Sequence, residues 1–196
     1  MRFYTKQHQT YCGIDLHART MSICILNHAG ELLGHHNYDA NPEIFLKVIA
    51  PYRDDIVVAV ECIFTWYWLA DLCAREGIAF VLGHALSMKA IHGGKAENDR
   101  IDAQTIAVLL RGGMLPQASG YPAAMRATRD LLRRRLHLMR KRAELWTHVQ
   151  QTHSQYHLPD IGKKIAYKTH RAGVAERFAA PAVPKSIEVD LALSDY

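Results

Sequence analysis

The chain has 196 residues, 49% of them hydrophobic and 22% charged, with a formal net charge of +5. Such a length and balance mark a soluble globular chain that buries one good core and carries an appendage, and they leave little room for two full domains. The amino terminus, MRFYTKQHQTYCGIDL, holds no apolar signal core and no run of about 18 apolar residues occurs anywhere, so neither secretion nor a membrane span is expected and a cytoplasmic location follows.

The predicted elements alternate. Tyr11 to Leu16, Thr20 to Asn27 and Leu32 to Tyr38 read as three strands, with a turn at Asn27 to Gly30 between the last two. Asn41 followed by Pro42 marks a helix N-cap and first position, opening a short helix to about Ala50. The apolar run Asp55 to Glu61 reads as a buried strand. A helix from about Thr65 to Glu76 stops at Gly77, and Ile78 to Leu82 forms the next strand. A further helix carries AENDRIDAQTIAVLL, Ala96 to Leu110. The order β-β-β-α-β-α-β-α predicts an α/β fold, a mixed sheet with helices on its faces and parallel strands joined by crossovers. No internal repeat interrupts it.

The acids sit at informative places on that frame. Asp15 and Glu61 each end an apolar strand, where an uncompensated carboxylate is costly. Asp99 and Asp102 stand three apart at the mouth of an otherwise apolar helix, so they share a face. Two readings fit each pair. The helix acids serve as caps facing the positive helix end, or as ligands of a shared cation; the strand acids face water, or lie side by side if their strands are neighbours. Four converging carboxylates need protons or bound cations, and hard oxygen donors favour Mg²⁺ or Mn²⁺. The four cysteines, Cys12, Cys24, Cys62 and Cys73, lie singly in apolar segments and never as C-x-x-C, so reduced, mostly buried thiols are expected rather than zinc or disulfides.

The positive charge is local. Between Ala123 and His157, Arg126, Arg129, Arg133, Arg134, Arg135, Arg140, Lys141 and Arg142 face only Asp130 and Glu144, a net +6 that leaves −1 for the rest of the chain. Clustered cations of this kind suit a polyanion, whose counterions they displace. Leu132, Leu136, Met139, Ala143, Trp146 and Gln150 form a heptad-like stripe on the same segment, suited to a helical hairpin or a homo-oligomer contact with phosphate-binding flanks, or else to packing on the chain's own domain. His153 and His157 stand i, i+4 but lack the glutamate of a zinc helix, and are expected at the surface or facing RNA. Trp66, Tyr67 and Trp68 offer stacking surfaces, although consecutive helix residues diverge and at least one is expected in the core. His17, Lys89, Lys95 and Arg100 flank the acids as candidate phosphate contacts. The serines lack a neighbouring base or oxyanion motif, so none is assigned as a nucleophile.

The run GIDLHARTMSICILN, the glutamate of VVAVECIFTWYWLADLC, the segment KAENDRIDAQTIAVLLRGGMLP and the basic RDLLRRRLHLMRKRAELWTHVQQTHSQYHLP together resemble the N-terminal half of the DEDD-type transposases of bacterial insertion sequences, from about Tyr11 to about Pro159. The resemblance implies a RuvC-like, ribonuclease-H-like domain at 1–120, a basic helical or coiled-coil segment at 121–157, and a linker with short helices at 158–196 leading to a serine-bearing domain absent from this chain. It implies Asp15, Glu61, Asp99 and Asp102 as the acidic site for Mg²⁺ or Mn²⁺, acting in DNA strand cleavage and exchange. It extends to the RNA-guided bridge recombinases, which implies DNA and a structured noncoding RNA of the element as partners. Two other readings remain: a non-catalytic nucleic-acid-binding module, and an autonomous nuclease of Holliday-junction type. A sugar-kinase-like or chaperone-like ATPase shares the GID opening, but DLHART supplies none of the glycines its phosphate grip needs.

Overall fold

The computed structural model describes residues 2–92 and 99–195, apart from the side chains at 92, 99, 100 and 163. Two compact units divide it, Met1–Tyr121 and Pro122–Tyr196. The first is built on five strands: β1 (Thr10–Leu16), β2 (Thr20–Asn27), β3 (Leu32–Asp39), β4 (Ile56–Glu61) and β5 (Ala79–Gly83). They form one sheet in the order β3-β2-β1-β4-β5. The first three pair antiparallel, while β1 with β4 and β4 with β5 pair parallel. This is the mixed α/β sheet expected from the sequence.

Strand alternation decides what each face buries. Cys12, Ile14 and Leu16 of β1 and Ile56, Val58 and Val60 of β4 join a core with Phe45 and Ile49 of α1 (Pro42–Ile49) and Leu69, Leu72 and Cys73 of α2 (Tyr67–Arg75). Tyr11, Val57 and Ala59 point the other way, into a core with Ile106, Leu109 and Leu110 of the helix Asp99–Arg111. Helix α1 starts as expected, with the Asn41 side chain accepting from the Glu43 and Ile44 amides behind Pro42. Helix α2 starts two residues later than its expected first residue, because the Thr65 hydroxyl donates to the Leu16 carbonyl at 2.8 Å, tying the loop after β4 to the end of β1. An unexpected helix, α3 (Ala85–His92), follows β5; its amino end is closed by His84, whose ring lies 2.8 Å from the Ser87 hydroxyl and accepts from the Ser87 amide. The helix Asp99–Arg111 is α4.

Buried cysteines behave as apolar residues here. Burial raises the thiol of Cys12 and pushes that of Cys73 up to about 12, so both stay protonated at neutral pH.

The amino-terminal arm is fastened at the start of β1. The Tyr4 hydroxyl lies 2.7 Å from His8 Nε2, His8 Nδ1 lies 2.6 Å from Asp55, and the Gln9 amide donates to the same carboxylate at 2.9 Å. The His8 bond, and after it the Gln9 amide, hold the Asp55 carboxyl below its ordinary value. A carboxyl lowered in the folded state contributes stability above its unfolded value, and that contribution is lost as pH falls through the folded value. Asp55→Asn is therefore expected to lower the melting temperature at neutral pH. The gap from wild type should close below the ordinary aspartate range, about pH 4, which thermal melts at neutral and strongly acid pH check.

In the second unit, α5 (Ala123–Gln155) runs for 33 residues, about 50 Å at the helical rise. Val149, Ile165, Val174, Ala175, Phe178 and Ile187 form a core between its carboxyl end, three short 3₁₀ turns within 162–177 and α6 (Ala182–Leu193). Among the described residues no helix is long and apolar enough to cross a membrane.

Candidate active site and nucleic-acid interface

Asp15 and Glu61 follow from the alternation just described. Tyr11 faces α4, so Asp15, four residues on, faces the same side; Val57 and Ala59 likewise carry Glu61 to that side. The register pairs Ile14 with Val60, which makes Asp15 and Glu61 the next step of the parallel ladder. The two strand-end acids are therefore neighbours at the carboxyl ends of β1 and β4, where α/β sheets gather ligands.

Helix α4 runs back along β1. Its trailing loop meets the arm that precedes β1, with the Tyr4 amide donating to Leu115. Its first turn consequently lies at the Asp15 end of the sheet. Asp102 is half-buried in that turn; Asp99 is the first residue of the helix, and its side chain lies outside the described residues. Asp15, Glu61 and the first turn of α4, which bears Asp102, thus lie toward the same end of the sheet.

Asp15 is only 7% exposed, and the ring of His17 reaches it, with Nε2 3.1 Å from Oδ2. A nearly buried carboxylate at a strand end keeps its charge only with compensation nearby. The candidate donors here are carboxylate oxygens, with the His17 imidazole against Asp15, while Cys12 is on the opposite face of the strand. That set fits a hard divalent cation better than zinc. Among the described residues no group of three acidic, histidine or cysteine side chains is already drawn together at metal-binding range.

The other residues singled out in the sequence separate clearly. Trp66 is buried in the core against Tyr67, their rings edge to face at 4.6 Å, and Tyr67 and Trp68 pack half-buried on the same core. Phe64, three residues beyond Glu61 in the short connection between β4 and α2, is 82% exposed. Lys89 is exposed on α3, whereas Lys95 and the Arg100 side chain lie outside the described residues.

On α5, Arg133, Arg134, Arg135 and Arg140 are exposed, and Arg126 and Arg129 are half-buried. Spacings of three, four and seven place Arg126, Arg129, Arg133 and Arg140 on one face, whereas Arg134 and Arg135 turn away from it. Lys141 is paired with Glu144 at 2.8 Å. Arg142 lies 4.9 Å above the Trp146 ring, which Arg171 also approaches, at 5.6 Å. The stripe residues Leu132, Leu136 and Met139 are exposed, while Trp146 packs on the core of its own unit. His153 corrects an expectation: it is wholly buried, its Nδ1 2.9 Å from the Val149 carbonyl and its ring edge to face with Phe178 at 4.8 Å. It serves the core of the second unit, not a surface. His157 is exposed.

Acidic strand ends thus lie at the sheet end where α4 begins, and a long cationic helix follows in the chain. The chain belongs to the DEDD transposase family of IS110 type, whose family model, described as a transposase, matches residues 12–158. No curated protein matches it significantly. Among solved structures it is similar to T. thermophilus RuvC in complex with a Holliday junction substrate, at 14% identity over 57% of this chain and 100% of that one, TM-score 0.43. It is also similar to a Thermus thermophilus RuvC structure, at 16% identity over 56% and 99%, TM-score 0.44.

Proposed function

We propose that this transposase-family chain acts in DNA strand cleavage and exchange during movement of an insertion sequence, with Asp15, Glu61, Asp99 and Asp102 holding Mg²⁺ or Mn²⁺ at the scissile phosphate. The observation that carries the reading is the placement of Asp15 beside Glu61 at one sheet end, on the face covered by α4. When bound, the ion neutralises charge on the phosphodiester and activates it toward attack. Asp15, nearly buried, supplies a fixed carboxylate, and Glu61 a second one at the adjacent strand end. The arginines of α5 hold nucleic acid through phosphates, with a structured RNA of the element as the guide and a second copy paired along Leu132, Leu136 and Met139.

The binding arm of this reading is tested by competition. A labelled DNA duplex of the element's end is bound to the chain, then challenged with the element's noncoding RNA and with an unrelated structured RNA of equal length. Preferential displacement by the element's own RNA is the expected result. Equal displacement by both RNAs would remove the guide from the reading, and absence of any binding would remove nucleic acid altogether.

A further inference from the structure

Gly13 lies two residues before Asp15 on β1, paired with Cys24 of β2 and Ala59 of β4. A β-carbon at this position would stand 2.3 Å from the Ala103 carbonyl oxygen and 2.3 Å from the Ala107 amide nitrogen. Both are backbone atoms of α4, so no side-chain rotation makes room. The helix rests directly on the strand at this point, an approach that only glycine permits. Its neighbours are matched in size: Ala103 and Ala107 are wholly buried and share a small cluster with Cys24 and Leu26. Ala103 immediately follows Asp102.

We propose that Gly13 is a positioning residue for the acidic site, setting how closely the α4 end bearing Asp99 and Asp102 approaches Asp15 and Glu61. The inference rests on the metal-binding reading above. Ordinary contact begins at 3.4 Å, so a methyl group at residue 13 obliges α4 to withdraw by about 1 Å. The Asp102 carboxylate on its first turn withdraws with it. A small hard cation such as Mg²⁺ demands oxygen distances of about 2.0–2.1 Å in near-octahedral array, so a displacement of that size removes a ligand instead of stretching a bond.

The test titrates Mn²⁺ into the 196-residue chain, reading free ion by electron paramagnetic resonance and folded fraction by circular dichroism. Gly13→Ala is expected to weaken Mn²⁺ binding roughly 10–100-fold, the range seen when a group that orients metal ligands is lost. Gly34→Ala, at a glycine whose added β-carbon meets nothing within 4 Å, should bind as wild type. The longer acid of Asp102→Glu, placed in the Gly13→Ala chain, should regain part of the lost affinity, which a mere loss of stability would not allow. Should Gly13→Ala fail to fold, Ala107→Ser lifts the same helix more gently and is expected to weaken binding to a lesser degree. Wild-type affinity in a folded Gly13→Ala or Ala107→Ser chain overturns the positioning role alone. A wild-type chain that binds no Mn²⁺ takes down the metal reading and the positioning role with it.

Discussion

Replacing Asp15 with Asn and Asp102 with Asn in one chain is expected to abolish Mn²⁺ and Mg²⁺ binding in a calorimetric titration, and with it any metal-dependent strand cleavage. Each substitution keeps the shape of the side chain and removes one charge, so the packing of β1 and α4 is retained. Asp15 bears most of the expected effect because it is nearly buried and fixed at the end of a strand. A ligand already held in place forms its bond without the entropy cost that a mobile one incurs. Asp102, half-buried in the first turn of α4, contributes from a second element. The same pair of changes relieves repulsion among the acids when no ion is present. The double variant should therefore melt no lower than wild type without metal, and should lose the upward shift in melting temperature that excess Mg²⁺ gives the wild-type chain. Undiminished divalent affinity in the double variant means that these acids do not share an ion.

The sheet and the strand ends that carry two of these acids are legible in the sequence. Apolar runs ending in Asp15 and Glu61 marked strand ends, and the i, i+3 spacing of Asp99 and Asp102 put them on one helix face. What the chain order alone left conditional was adjacency: that β1 pairs with β4 is a tertiary choice, and on it depends whether the strand acids meet. Helix α3 has no start signal in the sequence because its amino end is closed by a histidine, His84, and not by one of the usual Ser, Thr, Asp or Asn caps. Gly13 reads in sequence as an ordinary weak point of a strand; only the backbone of α4 above it shows why no β-carbon fits. Between Leu158 and α6 the hydrophobic pattern has no helical or strand period, since the chain there folds through short 3₁₀ turns with Gly162 and Gly173 at positive φ. Its apolar residues, Ile165, Val174 and Phe178, find their core through α5 and α6, a long-range packing that no local window records. His153 was misplaced for the same reason.

Removing Arg133 and Arg140 together is expected to weaken nucleic-acid binding across unrelated sequences and to flatten its salt dependence. Both are exposed, and they lie seven residues apart on the face that also carries Arg126 and Arg129, a row that a phosphate backbone can follow. Base readout instead needs a few side chains held in one groove, whereas these long cations project from a bare helix, so phosphates are the fitting targets. Each phosphate contact releases condensed counterions, giving a log K against log salt slope of about −0.9 per contact on duplex DNA and about −0.7 on a single strand. The Arg133→Ala, Arg140→Ala chain should accordingly show a slope shallower by roughly 1.4 to 1.8, the sum for two contacts on either kind of strand. Removing Arg133, Arg134 and Arg135 instead takes out three cations that fan through about 200° of the helix. That variant should lose up to ~3 contacts only if nucleic acid wraps the helix, and about one if it lies along a single face. Arg142 serves as the internal comparison, because its guanidinium is already stacked on Trp146: Arg142→Ala should change the slope least and lower the stability of the second unit most. Binding measured by fluorescence anisotropy over a salt series separates these outcomes, and a slope unmoved by loss of Arg133 and Arg140 places the phosphates elsewhere on the chain.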